Sequence, residues 1–323
     1  MEFGFSIPPR GEMATPESIA VLAQKGEATG FGIIAVTDHI VFPKSIQSNY
    51  PGSSTGQYYA AGDSQGEYLE ALALLSFLAG ITSSAKLLTA VMVIPNRPPI
   101  LTAKTLATID VLSKGRVIVG CGVGWMREEY EVLGSPPFDK RGAVANEYIR
   151  AFRELWSSDA PTFEGTYTRF ANIEFAPKPV QKPHPPIWTG GESPAALRRA
   201  GQLADGWYPF TDNAHVALRT PEQFAEVATK VKRHAREAGR DPDSIALAYT
   251  ASWYNDEEAA RLPNGERRPL TGTPAQIADD IKRYADVGVR HMMLPMIIRR
   301  PGVTVQQSLE RMDRFATKVM PLI

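Results

Sequence analysis

The sequence predicts an α/β fold, a closed (β/α)8 TIM barrel with insertions at its C-terminal face. Three observations lead there: eight short apolar segments bounded by Gly or Pro, helical periodicity between most of them, and a repeated helix-start signal. Strands alternating with helices imply parallel strands joined by crossovers. Eight such units in 323 residues suit a closed barrel, which typically takes about 250 residues and grows by insertion. An open doubly wound sheet is the alternative.

The strand segments are, in order, "EFGFSI", "GIIAVTDH", "KLLTAVMV", "GRVIVGC", "PPIWTG", "DGWYPF", "SIALAYTASW" and "VRHMMLP". Between them, Ile19, Leu22, Ala23 and Gly26 share one helical face, as do Tyr148, Ile149, Phe152, Leu155 and Trp156. Phe224, Val227, Ala228 and Val231 repeat the pattern, and so do Ile277, Ile281, Tyr284 and Ala285. Helix starts are marked by Thr15-Pro16, Ser193-Pro194, Thr220-Pro221 and Thr273-Pro274. In each, the hydroxyl caps first-turn amides and the proline sits where no hydrogen bond is lost. Surplus length lies after strands two (Ile40 to Gly66), four (Gly122 to Arg141) and seven (Asn255 to Gly272), on the face where barrel active sites are built. A fourth insertion, Pro161 to Pro186, precedes strand five, and its "FEGTYTRF" reads as a small hairpin. One domain over residues 1–323 accounts for the pattern, with no second core signature.

Composition narrows the function. Thirty-five basic and 35 acidic residues give a formal net charge of zero, so neither a nucleic-acid partner nor an anionic membrane surface is expected. The single cysteine, Cys121, allows no intrachain disulfide and no cysteine-rich zinc site, and reads as a small buried residue. "MEFGFSIPP" has no basic segment followed by an apolar one, and the longest apolar stretch, Ala71 to Ile81, is short of the roughly 20 residues that span a bilayer. A soluble cytoplasmic protein is the expectation. The five histidines show no ligand spacing, so no metal site is expected.

Two places at the predicted mouth carry candidate chemistry. Asp38-His39 ends strand two, where His39 is either a satisfied structural group or a proton carrier. Gly190, Gly191, Glu192 and Ser193 end strand five and begin a helix. Their amides and the Ser193 hydroxyl suit a phosphate, with Glu192 contributing backbone or an outward side chain. A tight turn with a plain helix cap is the alternative. In strand four, Gly120, Gly122 and Gly124 lead to Trp125 with a spacing wrong for Gly-x-Gly-x-x-Gly. That leaves close backbone approach to a flat ligand, or a tryptophan that plugs the barrel top.

The segments "GFGIIAVTDHIVFP", "IDVLSKGRVIVGCGVGWMREEYEVLG", "FDKRG…EYIRAFRELW", "FEGTYTRF" with "FAPKPVQKPHPPIWTGGESPAALRRAGQLADGW", and "GTPAQIADDIKRYADVGV" resemble the bacterial luciferase-like superfamily, most closely its coenzyme F420-dependent branch. The resemblance covers nearly the whole chain. It implies a flavin or deazaflavin across the mouth, its ring against a bulge of the third strand with a cis peptide at Ala90-Val91. His39 then faces the reactive side of the ring, and Asp38 is a candidate to orient it. Gly122, Val123, Gly124, Trp125 and the Gly190–Ser193 turn hold the cofactor's tail and phosphate. Luciferase carries an arginine for the flavin phosphate where this chain has Val123, which favours F420 over FMN. Arg299 and Arg300 are candidates for a phosphate or the polyglutamate tail of F420, or a solvated pair.

The implied activity is hydride transfer between F420 and a small organic substrate, with Tyr58, Tyr59 and Trp253 as candidate pocket walls. The alternative is an FMN-dependent monooxygenase that uses oxygen and a partner flavin reductase; a non-catalytic flavin-binding protein is a third. A homodimer is expected from the family.

Overall fold

All eight apolar segments form parallel strands in the computed structural model, which describes residues 1–323 apart from 53–55, 57, 59–66, 212, 214–215, 217, 263 and 299–301. The barrel strands are β1 (Glu2–Ile7), β2 (Ile33–Val36), β3 (Lys86–Thr89, resumed at Met92–Val93), β4 (Val117–Gly122), β5 (Ile187–Thr189), β6 (Gly206–Trp207), β7 (Ala246–Thr250) and β8 (His291–Met293). Each pairs in parallel with the next, β8 with β1, and β3 closes the barrel onto β4. "FEGTYTRF" forms the expected hairpin, Phe163–Glu164 against Arg169–Phe170, with its turn held on Glu147 of the helix that precedes it.

Nine helices are described: α1 (Pro16–Ala28), α2 (Ala71–Ile81), α3 (Pro99–Leu112), α4 (Arg127–Leu133), α5 (Arg141–Ser157), α6 (Pro194–Leu203), α7 (Pro221–Glu237), α8 (Pro274–Asp286) and α9 (Val305–Arg314). Thr15, Ser193, Thr220 and Thr273 each accept a first-turn amide, so all four hydroxyl–proline starts act as caps. The segment after strand four is not all loop, because it contains α4. The apolar stretch Ala71 to Ile81 is the buried helix α2. Among the described residues no helix is long and apolar enough to cross a membrane.

Strand alternation divides the core in two. Ile33, Ala35, Leu88, Ile118, Trp188, Tyr208, Ala248 and Met293 fill the barrel interior. Their neighbours Ile34, Val36, Leu87, Val117, Val119, Leu247 and Met292 point outward into the helical layer. Both strand faces are therefore covered, which is why these segments read as continuous apolar runs rather than alternating ones. Cys121 lies in the outer layer, fully buried, and burial pushes its thiol up to about 12.

At the closed end, Glu27 of α1 ties the segment entering β3. Its carboxylate accepts from the amides of Ser83 (3.0 Å), Ser84 (2.6 Å) and Ala85 (2.7 Å) and from both serine hydroxyls. Burial raises its pKa, but the Ala85, Ser84 and Ser83 amides outweigh that and bring it down to about 2. A folded pKa below the unfolded value means the contribution is complete above about pH 4.5 and is lost as pH falls towards 2. Glu27→Gln is thus expected to destabilise the protein at pH 7, with the gap to wild type narrowing in acid. Urea titrations across this range test it, and a gap equally wide at about pH 3 would refute it.

Candidate active site

The third strand does not run evenly. Leu88 lies opposite Ile118 and Met92 opposite Cys121, so four steps along β3 match three along β4. The extra residue is a bulge at Ala90-Val91, and the peptide bond between these two is cis. Both side chains pack on the interior cluster where the barrel opens.

The bulge also accounts for the glycines of β4. A Cβ on Gly120 would lie 1.8 Å from the Thr89 carbonyl oxygen, and one on Gly122 would lie 2.5 Å from Val91 Cγ2. Gly124, at φ +69°, would meet Val93 and Tyr130. The side chains missing from this strand are therefore replaced by β3 itself. Across the mouth, a Cβ on Gly190 would stand 3.3 Å from Val91 Cγ1, so Val91 sits between the ends of β4 and β5.

His39 lies just beyond β2, with its side chain 11% exposed. Its ring packs on Phe42 (4.5 Å between centroids), Tyr68 (5.6 Å), Tyr58 (5.9 Å) and Trp125 (6.3 Å). Tyr50 joins the cluster against Trp125 at 5.0 Å, and burial pushes its hydroxyl up to about 12. Trp125 thus forms a wall shared with the long loop after β2.

Asp38 does not orient His39 by a hydrogen bond, contrary to the sequence expectation. Its carboxylate accepts from Val93 N (2.8 Å) and Arg97 Nη2 (2.5 Å), joining β2 to the far side of the bulge. Arg97 also pairs with Glu70 at 2.8 Å, and Glu70 caps α2 through Ala73 N. Burial pushes the Asp38 carboxyl above its usual range, against the pull of Arg97 and the Val93 amide. Successive side chains at a strand end diverge, which leaves Asp38 buried and His39 at the opening.

The residue that holds His39 is Glu129, in the first turn of α4. Its Oε2 is 3.1 Å from His39 Nδ1, while Oε1 accepts from Ile40 N (2.8 Å) and Val41 N (3.4 Å). Glu128 beside it binds Gln47 N (2.7 Å), Ser48 N (3.0 Å) and Ser48 Oγ (2.7 Å). Acids in the first turn of a helix are favourable charges whatever they bind. The partners of these two lie 80 to 90 positions away, and no local pattern announces them.

The Gly190–Ser193 turn links β5 to α6, with Gly191 at φ +99° and Ser193 Oγ accepting from Ala196 N at 3.3 Å. Glu192 is neither outward nor confined to a backbone role. It is buried, and its carboxylate accepts from Phe210 N (2.5 Å) and Asn213 Nδ2 (2.7 Å). Its negative charge is thereby turned towards the β6 loop, and burial raises its pKa. At the base of the turn, Thr189 Oγ1 is buried and has no hydrogen-bond partner among the described residues.

Of the expected pocket walls, Tyr58 stands in the cluster beside His39. Trp253 is 43% exposed, with the Arg268 guanidinium 4.5 Å from its ring. Tyr59, Arg299 and Arg300 lie outside the described residues. Among the described residues no cluster of His, Cys, Asp or Glu could hold a metal ion.

Known proteins share this arrangement of strands. The coenzyme F420-dependent tetrahydromethanopterin reductase of Methanopyrus kandleri superposes with a TM-score of 0.75 at 19% identity, covering 99% of this chain and 98% of that one. An uncharacterized protein of Mycobacterium tuberculosis is 30% identical over 287 residues, 88% of this chain and 96% of its own. The FMNH(2)-dependent dimethylsulfone monooxygenase of Pseudomonas putida is 26% identical over 306 residues, 82% of this chain and 81% of its own. The luciferase-like monooxygenase family model matches residues 1–262. The match runs from β1 through β7 and takes in the bulge, His39, Glu129 and the β5 turn, and the chain belongs to the luciferase-like monooxygenase family.

Proposed function

We propose that this protein is an F420-dependent oxidoreductase that moves a hydride between the deazaflavin and a small organic substrate. The observation that carries the reading is the placement of His39 at the barrel mouth, beside the bulge and held by Glu129. The cofactor supplies the hydride chemistry when bound, and the chain supplies position and proton handling. His39 takes up or returns the accompanying proton at its second ring nitrogen. The Ala90-Val91 bulge would back the cofactor ring, with Trp125 at one edge of the site and the aromatic cluster excluding water.

The residues present fit a phosphate at the β5 turn. With Glu192 drawn away to Phe210 and Asn213, that turn offers the main-chain amides beyond Gly190, whose own amide donates to Cys121 O, and the Ser193 hydroxyl. Val123 gives an FMN phosphate no guanidinium, which supports the deazaflavin. The kinship with an FMNH(2)-dependent monooxygenase supports a second reading, in which reduced FMN and oxygen are used with a separate reductase.

Fluorescence titration of the purified protein with F420 and with FMN separates the two. Micromolar or tighter binding of F420, with FMN weaker by at least about ten-fold, is expected. Tight FMN binding, with oxygen consumed on addition of reduced flavin, would overturn the proposal in favour of the second reading.

A further inference from the structure

We infer that Glu129 is a positioning residue that sets the tautomer of His39, keeping a proton on Nδ1 and leaving Nε2 as the working nitrogen. The contact is between a carboxylate oxygen and Nδ1 at 3.1 Å, with both side chains largely removed from solvent. An ionised carboxylate has only acceptor sites, so the hydrogen must lie on the nitrogen that faces it. The other oxygen is occupied by the Ile40 and Val41 amides, so one carboxylate fixes residues 39 to 41 together. It cannot turn away without abandoning two main-chain donors.

The neighbouring acid, Asp38, is committed to Val93 and Arg97 and supplies no competing acceptor. Among the described residues, the rings packed against it are Phe42, Tyr58, Tyr68 and Trp125. Of these, Tyr68 shares a hydrogen bond with Thr37 through its hydroxyl. A neutral imidazole protonated at Nδ1 carries its lone pair on Nε2. When Nε2 accepts a proton, the imidazolium keeps its Nδ1–H on Glu129 and gains the carboxylate as counter-charge; when it gives the proton back, the same tautomer returns. The ring then cycles without rotating. The catalytic meaning of this arrangement rests on the role proposed above for His39, whereas the position of the proton does not.

The discriminating variant is Glu129→Gln. Its carbonyl oxygen can keep the Ile40 and Val41 amides, so the loop is retained. Its NH2 then faces Nδ1 and donates to it, which forces the proton onto Nε2. Long-range 1H–15N spectra of ring-labelled protein at alkaline pH, assigned against His39→Asn, read the tautomer without any cofactor. Wild type is expected to show Nδ1–H and Glu129→Gln to show Nε2–H, with melting curves confirming that the variant is folded. A wild-type ring protonated at Nε2, or a variant spectrum like wild type, overturns the inference.

In turnover with F420, the variant is expected to lose at least about ten-fold in kcat with KM little changed, as when a carboxylate-held histidine is driven into the wrong tautomer. An unchanged kcat beside a switched tautomer would overturn the positioning role. Failure of F420 to bind would remove the proposed function and leave the spectra to decide the tautomer.

Discussion

Replacing His39 with asparagine is expected to lower kcat with F420 by about 10²–10⁴-fold while F420 affinity stays within a few-fold, the range for removing a positioned general acid or base. Asparagine is chosen because its amide can still donate to Glu129, so the Ile40 and Val41 contacts need not be lost. The ring contacts on Phe42 and Trp125 are sacrificed, so the variant must be compared with wild type by thermal melting as well as by rate. A folded variant that binds F420 and turns over within a few-fold of wild type would show that the histidine only packs. A loss of F420 affinity with kcat preserved would place His39 in binding rather than in proton transfer.

The second large effect is on stability and comes from Asp38. Its carboxylate is 1% exposed, and Arg97, its partner, is 10% exposed. Truncation to alanine leaves the guanidinium, among the described residues, with the more exposed Glu70 as its counter-charge and removes the acceptor for Val93 N. Breaking a buried pair from one side typically costs about 3–5 kcal/mol. For a chain of this size that corresponds to a fall in Tm of roughly 4–8 °C. Asp38→Asn can still accept the Val93 amide and is expected to lose less. Calorimetry on both variants checks the order. An alanine variant as stable as wild type but catalytically dead would argue for a catalytic rather than a structural role of Asp38.

These expectations divide along the range of the interactions behind them. Eight strands, four caps and the small hairpin follow from information within a few residues: β-branched and aromatic runs, the hydroxyl–proline pairs, and the turn in "FEGTYTRF". Such signals act over one turn or one strand, so reading neighbours suffices. The buried apolar faces of α1, α5 and α7 follow in the same way, since period alone assigns them to the core. Helix α4 was less legible because seven residues give too little periodicity to separate it from a loop.

The site depends on longer distances. Its place at the mouth follows from topology once the barrel is recognised, and resemblance alone suggested the Ala90-Val91 bond. The purpose of Gly120 and Gly122 was not legible: a sequence shows that a side chain is missing but not what fills its place, and here the neighbouring strand occupies it. The same holds for Asp38, a candidate to orient the adjacent His39, and for Glu192, expected to contribute backbone or point outward; both carboxylates are bonded elsewhere. Glu129 reaches His39 across 90 residues, because the crossovers bring the end of β2 beside the start of α4. Local chemistry was enough to specify the elements, since each element is stabilised largely by its own pattern. The hydrogen-bond partners of the site were decided by tertiary structure, since a buried polar group is satisfied by whatever donor or acceptor the closed barrel places next to it.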